Sequence, residues 1–278
     1  MFDNTFSSRT YIMGILNLTP DSFSGDGIYK NIDLAIEQAE RMVQEGADII
    51  DIGGESTRPG SESVPLDEEI ERVIPVIKKL AKRIDKPISI DTSKSEVARF
   101  AMENGASIVN DISGLEFDEM MCNIVSRYDA KVVLMHIKGN PRTMQLDPTY
   151  DDVVNEVIER LGSLVKKAET SGIKKENIIL DPGIGFGKTY EHNLEILNSL
   201  SRFKSLEKPI LVGTSRKSFI GNILGVEEKN RMFGTAASVA LAIKNGANII
   251  RVHDVKEMSQ VAKVSDAIIR SGEKINVS

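Results

Sequence analysis

Residues 45–56, EGADIIDIGGES, carry the pattern that decides the fold, and two further segments repeat it. These are residues 104–114, NGASIVNDISG, and residues 245–255, NGANIIRVHDV. In each segment a helical pattern stops at a glycine, which tolerates the left-handed conformation that often ends a helix, and a short β-branched run follows. The repeat therefore predicts three junctions at which a helix leads into a strand.

Five other near-continuous apolar runs bring the number of predicted strands to eight. They are YIMGILNLT (11–19), KPISIDTS (86–93), AKVVLMHI (130–137), NIILDPG (177–183) and KPILVGTS (208–215). An apolar run without alternation indicates a strand that is covered on both faces, which is typical of a parallel sheet. We therefore expect an α/β protein.

Helical patterns separate these strands. The clearest runs from Leu66 to Ile84, with acidic residues 67–69 in its first turn and basic residues 82–83 in its last. Ser93 and Glu96 predict a capping box at the start of the next helix. Eight strand–helix units with right-handed crossovers predict a (β/α)₈ TIM barrel, a single domain over residues 1–278 with its active site at the C-terminal face of the strands. An open doubly wound sheet is the alternative.

Composition excludes several classes of function. The chain has 278 residues, with 35 Lys and Arg against 41 Asp and Glu, a net charge of −6, and no long basic run that would favour nucleic acid. No apolar run reaches the roughly 18 residues of a membrane span, and no signal-like segment opens the chain, so we expect a cytoplasmic protein. The single cysteine, Cys122, cannot form an internal disulfide, and three histidines without a second cysteine predict no local zinc site.

Polar residues follow every predicted strand. In a TIM barrel, such residues collect at one face and form the site. Any one of them would fit a structural role equally well, but eight together are costly to bury unless they face a ligand or one another. They are Asn17, residues 53–58, Asp91, Asn110 with Asp111, Met135 with His136, Asp181, residues 213–217, and Arg251 with His253.

Two chemistries stand out within this set. Asp91, Asn110, Asp181 and Lys217 offer carboxylates, an amide and a cation, which suit a flat heterocycle with an amidine edge and a carbonyl. Asn17, Arg251 and His253, on the first and last strands, are typical of an anion site.

Two glycine-containing loops resemble nucleotide loops only superficially. GTSRKS (213–218) lacks the spacing of a P-loop, and its Ser218 opens a helix, either as a carboxylate ligand or as an ordinary N-cap. GIGFGK (183–188) follows Pro182, which favours a rigid turn.

The loops that start at Thr19 and Glu55 are rich in Gly, Ser and Pro. They predict lids that close over a substrate, although plain exposed loops are the alternative. The lid interpretation rests on the side chains that they carry, which are Asp21, Asp26, Thr57 and Arg58.

Eight motifs in order from Met13 to Val255 resemble the dihydropteroate synthase family of pterin-binding barrel enzymes. They are MGILNLTPDSFSGDG, GADIIDIGGESTRPGS, IDTSKSEVA, NDISG, MHIKGNPRTMQ, LDPGIGFGKT, GTSRKSFIG and RVHDV. The resemblance covers nearly the whole chain and every strand end. One departure is the first loop, where Gly25-Asp26-Gly27 follows Ser24 in place of the family's SFSDGG, so the loop acid is displaced by one residue.

The resemblance implies condensation of 6-hydroxymethyl-7,8-dihydropterin pyrophosphate with 4-aminobenzoate, assisted by Mg²⁺, on a homodimeric barrel that sulfonamides target. It implies a pterin pocket at Asp91, Asn110, Ile112, Met135, Asp181, Phe186, Gly213 and Lys217. The pyrophosphate site falls on Asn17, Arg251 and His253, with Asn17 as the metal contact, and the 4-aminobenzoate site falls on Thr57, Arg58, Pro59, Phe186, Lys217 and Ser218. The residues expected to carry catalysis are Asp91, Asp181, Lys217, Arg251 and His253.

Three other functions fit parts of this pattern. A pterin-binding methyltransferase that uses methyltetrahydrofolate would need the pterin pocket but not the acceptor site at residues 56–60 and 215–218. A lyase would use Lys217 to form a Schiff base, for which a more apolar setting is usual. A folate-binding protein without turnover would keep the pocket and lose the reaction.

Overall fold

The computed structural model describes residue 6, residues 8–19 and residues 31–271. Its strands are β1 Tyr11–Asn17, β2 Ile49–Gly53, β3 Ile88–Asp91, β4 Ile108–Asp111, β5 Lys131–Met135, β6 Ile178–Asp181, β7 Leu211–Val212 and β8 Ile249–Val252. The helices are α1 Ile32–Glu45, α2 Leu66–Leu80, α3 Ser95–Glu103, α4 Met121–Arg127, α5 Val153–Thr170, α6 Tyr190–Asn198, α7 Ser218–Leu224, α8 Met232–Lys244 and α9 Val255–Arg270.

All eight strands pair in parallel, in the order β6-β5-β4-β3-β2-β1-β8-β7. A parallel bridge between Leu180 and Ile210 links β6 to the start of β7, so the sheet closes on itself. The predicted (β/α)₈ barrel is confirmed, and the open doubly wound alternative is wrong.

The repeated helix-to-strand junction has a common backbone basis. Gly46, Gly105 and Gly246 have φ angles of 111°, 111° and 110°, a conformation that side chains with a Cβ rarely adopt. At Gly105 a Cβ would also lie 2.6 Å from the Cβ of Ala81 on the neighbouring segment. The glycines thus permit both the turn and the close packing behind it.

Two apolar clusters fix the barrel. The larger one packs the outward faces of the strands against the surrounding helices. The smaller one fills the interior with side chains from the N-terminal segment and seven of the eight strands: Phe6, Tyr11, Met13, Ile49, Ile108, Val133, Ile179, Leu211 and Ile249. Because this layer fills the barrel interior, we expect a ligand to bind at the carboxyl end of the strands.

Strand register brings the predicted polar residues side by side. Asn17 pairs with Gly53, Gly53 with Asp91, and Asp91 with Asn110. Met135 and Asp181 form the corresponding pair on β5 and β6. A parallel register therefore places residues from distant parts of the sequence at one level of the barrel mouth.

Two local predictions were wrong. The Ser93–Glu96 capping box does not form, because α3 begins at Ser95, whose N–H donates to the Asp118 carboxylate at 2.8 Å. Helix α2 ends at Leu80, so residues 82–83 lie beyond it, and Lys78 and Lys79 occupy its last turn. In the described ranges, no helix combines the length and apolar character needed to cross a membrane.

Candidate active site

Arg251 lies at the centre of the polar set at the barrel mouth. Its Nε donates to Asp51 Oδ2 at 2.6 Å, and its Nη2 donates to Asp91 Oδ2 at 2.5 Å. Asn110 Nδ2 donates to the same Asp51 oxygen at 3.1 Å. Side chains from β2, β3, β4 and β8 thus form one hydrogen-bonded network.

Two carboxylates surround one guanidinium in this network, and burial disfavours the extra negative charge. Burial is the main cause that raises the pKa of Asp91 to about 7. The positive charge of Arg251 lowers this pKa, and repulsion from Asp51 raises it. Burial alone would lower the pKa of Arg251, but Asp51 and Asp91 together raise it above its ordinary value. Within the described residues, Asp51 Oδ1 and Asp91 Oδ1 have no hydrogen-bond partner. The acceptor at Asp91 is therefore available to a ligand that brings N–H groups.

Asp181 and Lys217 form the opposite side of the mouth. Asp181 Oδ1 accepts the backbone N–H of Gly183 at 2.7 Å, and burial raises the pKa of this carboxyl. Lys217 Nζ lies 4.2 Å from the ring centroid of Phe186, a cation–π contact. Burial and the nearby Arg251 lower the pKa of Lys217 to about 8.

An apolar wall adjoins these charges. Ile112, Met135, Met144 and Phe186 are buried against one another, with Ile137 packed on them. These side chains come from β5 and from the loops after β4, β5 and β6. A flat, partly apolar ring could lie against this wall and present its polar edge to the carboxylates.

His253 follows β8 and contacts Ser215 in the loop after β7. Its Nδ1 lies 3.0 Å from Ser215 Oγ, and the same oxygen accepts the backbone N–H of His253 at 3.2 Å. Burial is the main cause that lowers the pKa of His253 to about 3, and the positive charges of Arg216 and Arg251 add to it. With this pKa the imidazole is neutral at pH 7, so it does not bring the positive charge that the predicted anion site suggested.

Arg216, within the same loop, is held away from the mouth. Its guanidinium donates to both carboxylate oxygens of Asp254, at 3.1 and 2.5 Å. Gly213 lies beside Arg251, and a Cβ there would be 3.9 Å from the Arg251 Cβ. The loop thus directs Ser215 and Lys217, not Arg216, toward the polar set.

A cavity of about 410 Å³ opens beside Asp91, with Thr57 and Ile112 among its lining residues. Lys94 bridges two carboxylates at its edge, Glu55 and the fully buried Glu69. This bridge ties the start of the β2–α2 loop, which carries Thr57, to helix α2.

A second cavity, of about 280 Å³, contains Pro59 and Ser218 together with Gly185, Lys188 and Phe219. Ser218 is the first residue of α7, whose N-cap is Lys217 without a side-chain capping bond. The N-cap interpretation of Ser218 is therefore wrong, and Ser218 is one of the residues that line this cavity.

Arg58 lies near Lys217 and forms an ion pair at the surface. Its guanidinium pairs with Glu228 at 3.0 Å, and both side chains are exposed. The lid acids Asp21 and Asp26 lie outside the described residues.

Sequence reasoning missed Asp51 and Lys188 as parts of the site, and it placed Ser215 and His136 at the mouth without giving either one a role. Asp51 carried a signal, because a carboxylate in the middle of a buried strand needs a charged or hydrogen-bonded partner. Lys188 carried one too, since it ends a glycine loop at the mouth. Neither signal names the partner, which only the three-dimensional structure reveals.

The geometry agrees with comparisons to known proteins. A family model described as pterin binding enzyme matches residues 13–253, so the chain belongs to that class of barrel enzymes. The dihydropteroate synthase of Synechocystis sp. is 51% identical over 271 residues, which cover 97% of this chain and 93% of the relative.

Two solved structures match the fold as well as the sequence. The Clostridium difficile dihydropteroate synthase, crystallised in the presence of pteroic acid, is 50% identical with a TM-score of 0.90, over 97% of this chain and 100% of that one. The Xanthomonas albilineans dihydropteroate synthase with 4-aminobenzoic acid is 42% identical with a TM-score of 0.88, over 94% and 93%. Within the pterin-binding enzymes, this chain belongs to the dihydropteroate synthase family.

Proposed function

We propose that this chain condenses 6-hydroxymethyl-7,8-dihydropterin pyrophosphate with 4-aminobenzoate to give 7,8-dihydropteroate and pyrophosphate. Its relatives are transferases of the folate pathway. The observation that carries the proposal is the pair of buried acids, Asp91 and Asp181, on β3 and β6 at one barrel mouth, each with a raised pKa. Acids in such a setting favour a ligand that brings paired N–H donors.

The pterin ring is proposed to lie against the apolar wall, with its polar edges toward the acids. Carboxylates at Asp91 and Asp181 would accept N–H groups from the amidine edge, and the Asn110 amide and the Lys217 ammonium would meet the remaining polar atoms. The pocket is completed by Ile112, Met135, Phe186 and Gly213.

The diphosphate is proposed to lie at Arg251, His253 and Asn17. Arg251 supplies charge, and the neutral His253 supplies a ring N–H. Ser215 Oγ accepts the backbone N–H of His253, so the Ser215 hydroxyl can donate its own proton to His253 Nδ1. The hydrogen of the imidazole ring is then on Nε2.

Asn17 also fits a role as a magnesium ligand. A Cβ on Gly53 would lie 3.7 Å from both Asn17 Oδ1 and Asp91 Oδ2, so the amide oxygen faces the polar mouth. Within the described ranges no group of three or more acidic, histidine or cysteine side chains could hold a metal. A single amide oxygen agrees with Mg²⁺, which usually takes few protein ligands and completes its shell with water and phosphate. When bound, the ion would supply positive charge to the diphosphate.

The 4-aminobenzoate site is proposed at Thr57, Arg58, Pro59, Phe186, Lys217 and Ser218. Pro59 and Ser218 share one cavity, and Phe186 contacts Lys217, the residue before Ser218, which supports a site that adjoins the proposed pterin pocket. The Ser218 hydroxyl and the Arg58 guanidinium suit the carboxylate, and the ring would lie between Pro59 and Phe186.

The mechanism that this arrangement favours is dissociative. The bond from the pterin methylene carbon to the diphosphate oxygen breaks, its electron pair leaves with the diphosphate, and positive charge spreads into the ring. Asp91 and Asp181 stabilise that cation, and Arg251 with His253 stabilises the leaving group. The aniline nitrogen then attacks the methylene, and the proton that it loses passes to an oxygen of the departing diphosphate. Exclusion of water matters because water would otherwise capture the cation.

We also propose a homodimer of single-domain chains. Large apolar side chains are exposed along adjacent helices α8 and α9, with Phe233 81%, Leu241 63%, Val264 60% and Ile268 69% accessible. Large apolar side chains that are exposed on two contacting helices favour an interaction surface. A cytoplasmic location stays a prediction from the sequence.

The test is a turnover assay with both substrates and Mg²⁺, in which chromatography follows 7,8-dihydropteroate and a coupled reaction follows pyrophosphate. We expect the two products in equal amounts. Absence of both, from protein that binds a pterin, would support the folate-binding alternative instead.

A further inference from the structure

A buried cation lies at the edge of the second cavity and has no part in the mechanism above. Lys188 ends the loop after β6 and is only 2% exposed. Its Nζ lies 2.9 Å from His136 Nδ1, 2.9 Å from the Phe186 carbonyl oxygen and 3.4 Å from the His136 carbonyl oxygen. In the part of the chain that the structure describes, no carboxylate forms an ion pair with it. Burying an ammonium in this way is costly, which makes an accidental placement hard to explain.

The three contacts match the three N–H groups of an ammonium. His136 then accepts through Nδ1 and is neutral, in agreement with a pKa that burial and Lys188 lower to about 2. The loop that Lys188 closes has no room to shift toward β5. A Cβ on Gly183 would lie 1.9 Å from the His136 carbonyl oxygen, and one on Gly187 would lie 2.4 Å from the Lys138 carbonyl oxygen.

The same short loop carries two groups that the reaction needs. Its first residue, Gly183, donates to the Asp181 carboxylate, and Phe186 packs its ring against Lys217. The backbone of Phe186 is in turn fixed at its carbonyl by Lys188. One ammonium therefore links β5, through His136, to the residue whose ring separates the two proposed substrate pockets.

We propose that Lys188 is a positioning residue for 4-aminobenzoate, which acts by holding the Phe186 backbone against His136 so that the Phe186 ring stays on Lys217. The inference rests on the proposed function. Lys188 lines the second cavity, and the role proposed for it is to act on 4-aminobenzoate through Phe186. Loss of the ammonium releases the Phe186 carbonyl and widens the acceptor pocket. Asp91 and Asp181, the acids of the proposed pterin pocket, are held by strands β3 and β6, so we expect pterin binding to change less.

The charged and titratable groups around Lys188 determine how its effect varies with pH. Burial lowers the pKa of Lys188 to about 7, opposed by Asp181 and reinforced by Lys217. His136 faces it directly, Arg160 and Lys138 act on that histidine, and Tyr150 lies beside it with ring centroids 6.2 Å apart. Of these, Lys217 is the other group with a pKa near this range, at about 8. Only Lys188 is removed by the variant below.

The test is Lys188→Met, which removes the charge and shortens the side chain by one atom, with Lys166→Met on the exposed face of α5 as the matched control. We expect the KM for 4-aminobenzoate to rise about tenfold and the KM for the pterin pyrophosphate to change less than about twofold. We also expect the wild-type rise in the 4-aminobenzoate KM between pH 6.5 and 7.5 to disappear in the variant. The control should behave as wild type.

A second variant guards against misfolding of the first. His136→Gln keeps the Lys188 ammonium and its contacts with both backbone carbonyls. We expect it to raise the KM for 4-aminobenzoate about threefold and to change the KM for the pterin pyrophosphate less. Equal losses for both substrates, or an unchanged KM for 4-aminobenzoate in folded Lys188→Met, would overturn the proposal. Absence of turnover in the wild type would instead overturn the proposed function.

Discussion

Arg251 and Asp91 lie 160 residues apart in sequence, yet the Arg251 Nη2 donates to Asp91 Oδ2 at 2.5 Å. The pair joins the proposed leaving-group site to the proposed pterin pocket. Because Arg251 also donates to Asp51, removing the guanidinium leaves two buried carboxylates without their cation. The site therefore depends on one residue for both its charge balance and its shape.

Replacement of this residue tests that dependence. Arg251→Met should lower the free energy of unfolding by about 3–5 kcal/mol at pH 8, the size expected when one partner of a buried ion pair is lost. At pH 5 the loss should be smaller, because Asp91 takes up a proton. Urea unfolding at both pH values gives the comparison, and an equal loss at the two values would contradict it.

Asp91→Asn tests the strain that the site holds. The pKa of Asp91 is about 7 in the folded chain and about 4 in the unfolded chain. Between these values the folded state binds the proton more tightly, so stability falls as the pH rises through this window. We expect the Tm of the variant minus the Tm of the wild type to be more positive at pH 8 than at pH 5. The change should be about 2–4 °C for each kcal/mol of stability gained. Scanning calorimetry that shows the same Tm difference at both pH values would exclude this account.

Asp181→Asn should weaken binding of a pterin by about 1.5–3 kcal/mol, the value of a hydrogen bond to a charged group. The matched control is Asp111→Asn. Asp111 is also a buried acid at a strand end, but its carboxylate accepts the backbone N–H groups of Ser113 and Leu115. Calorimetric titration should therefore show the loss only for Asp181→Asn, and equal losses would remove Asp181 from the pocket.

Arg58→Ala should raise the KM for 4-aminobenzoate severalfold and leave the affinity for the pterin pyrophosphate nearly unchanged. Glu228→Ala breaks the same exposed ion pair, which is worth at most about 1 kcal/mol, and should have little effect on either substrate. Steady-state kinetics on both variants separates a contact with substrate from a surface pair. A loss confined to pterin binding would contradict the proposed role of the loop.

The exposed face of α8 and α9 predicts the oligomeric state. Phe233→Glu combined with Ile268→Glu should convert a dimer into monomers, because each change puts a charge into a buried apolar contact. Leu66→Glu, on α2, is the control and should leave the dimer intact. Light scattering after size-exclusion chromatography measures the mass, and a wild-type chain of monomeric mass would refute the homodimer.

Much of this arrangement could be predicted from the sequence because the relevant signals are local. Glycines at 46, 105 and 246 and the apolar runs after them gave the strand order, and parallel strands must end at one edge. Partners across the barrel could not be predicted in this way. The bonds of Arg251 to Asp51, of Lys188 to His136 and of Lys94 to Glu69 depend on strand register and side-chain direction, which no short motif encodes. The Ser93 capping box failed for a similar reason, since the carboxylate that accepts the Ser95 N–H belongs to Asp118, 23 residues beyond Ser95.

A crystal structure of the protein soaked with a pterin tests the central claim most directly. We predict that the bicyclic ring lies on Ile112, Met135 and Phe186, with its amidine N–H groups about 3 Å from the carboxylates of Asp91 and Asp181. A pterin bound away from both carboxylates, while the mouth holds only water, would contradict the account.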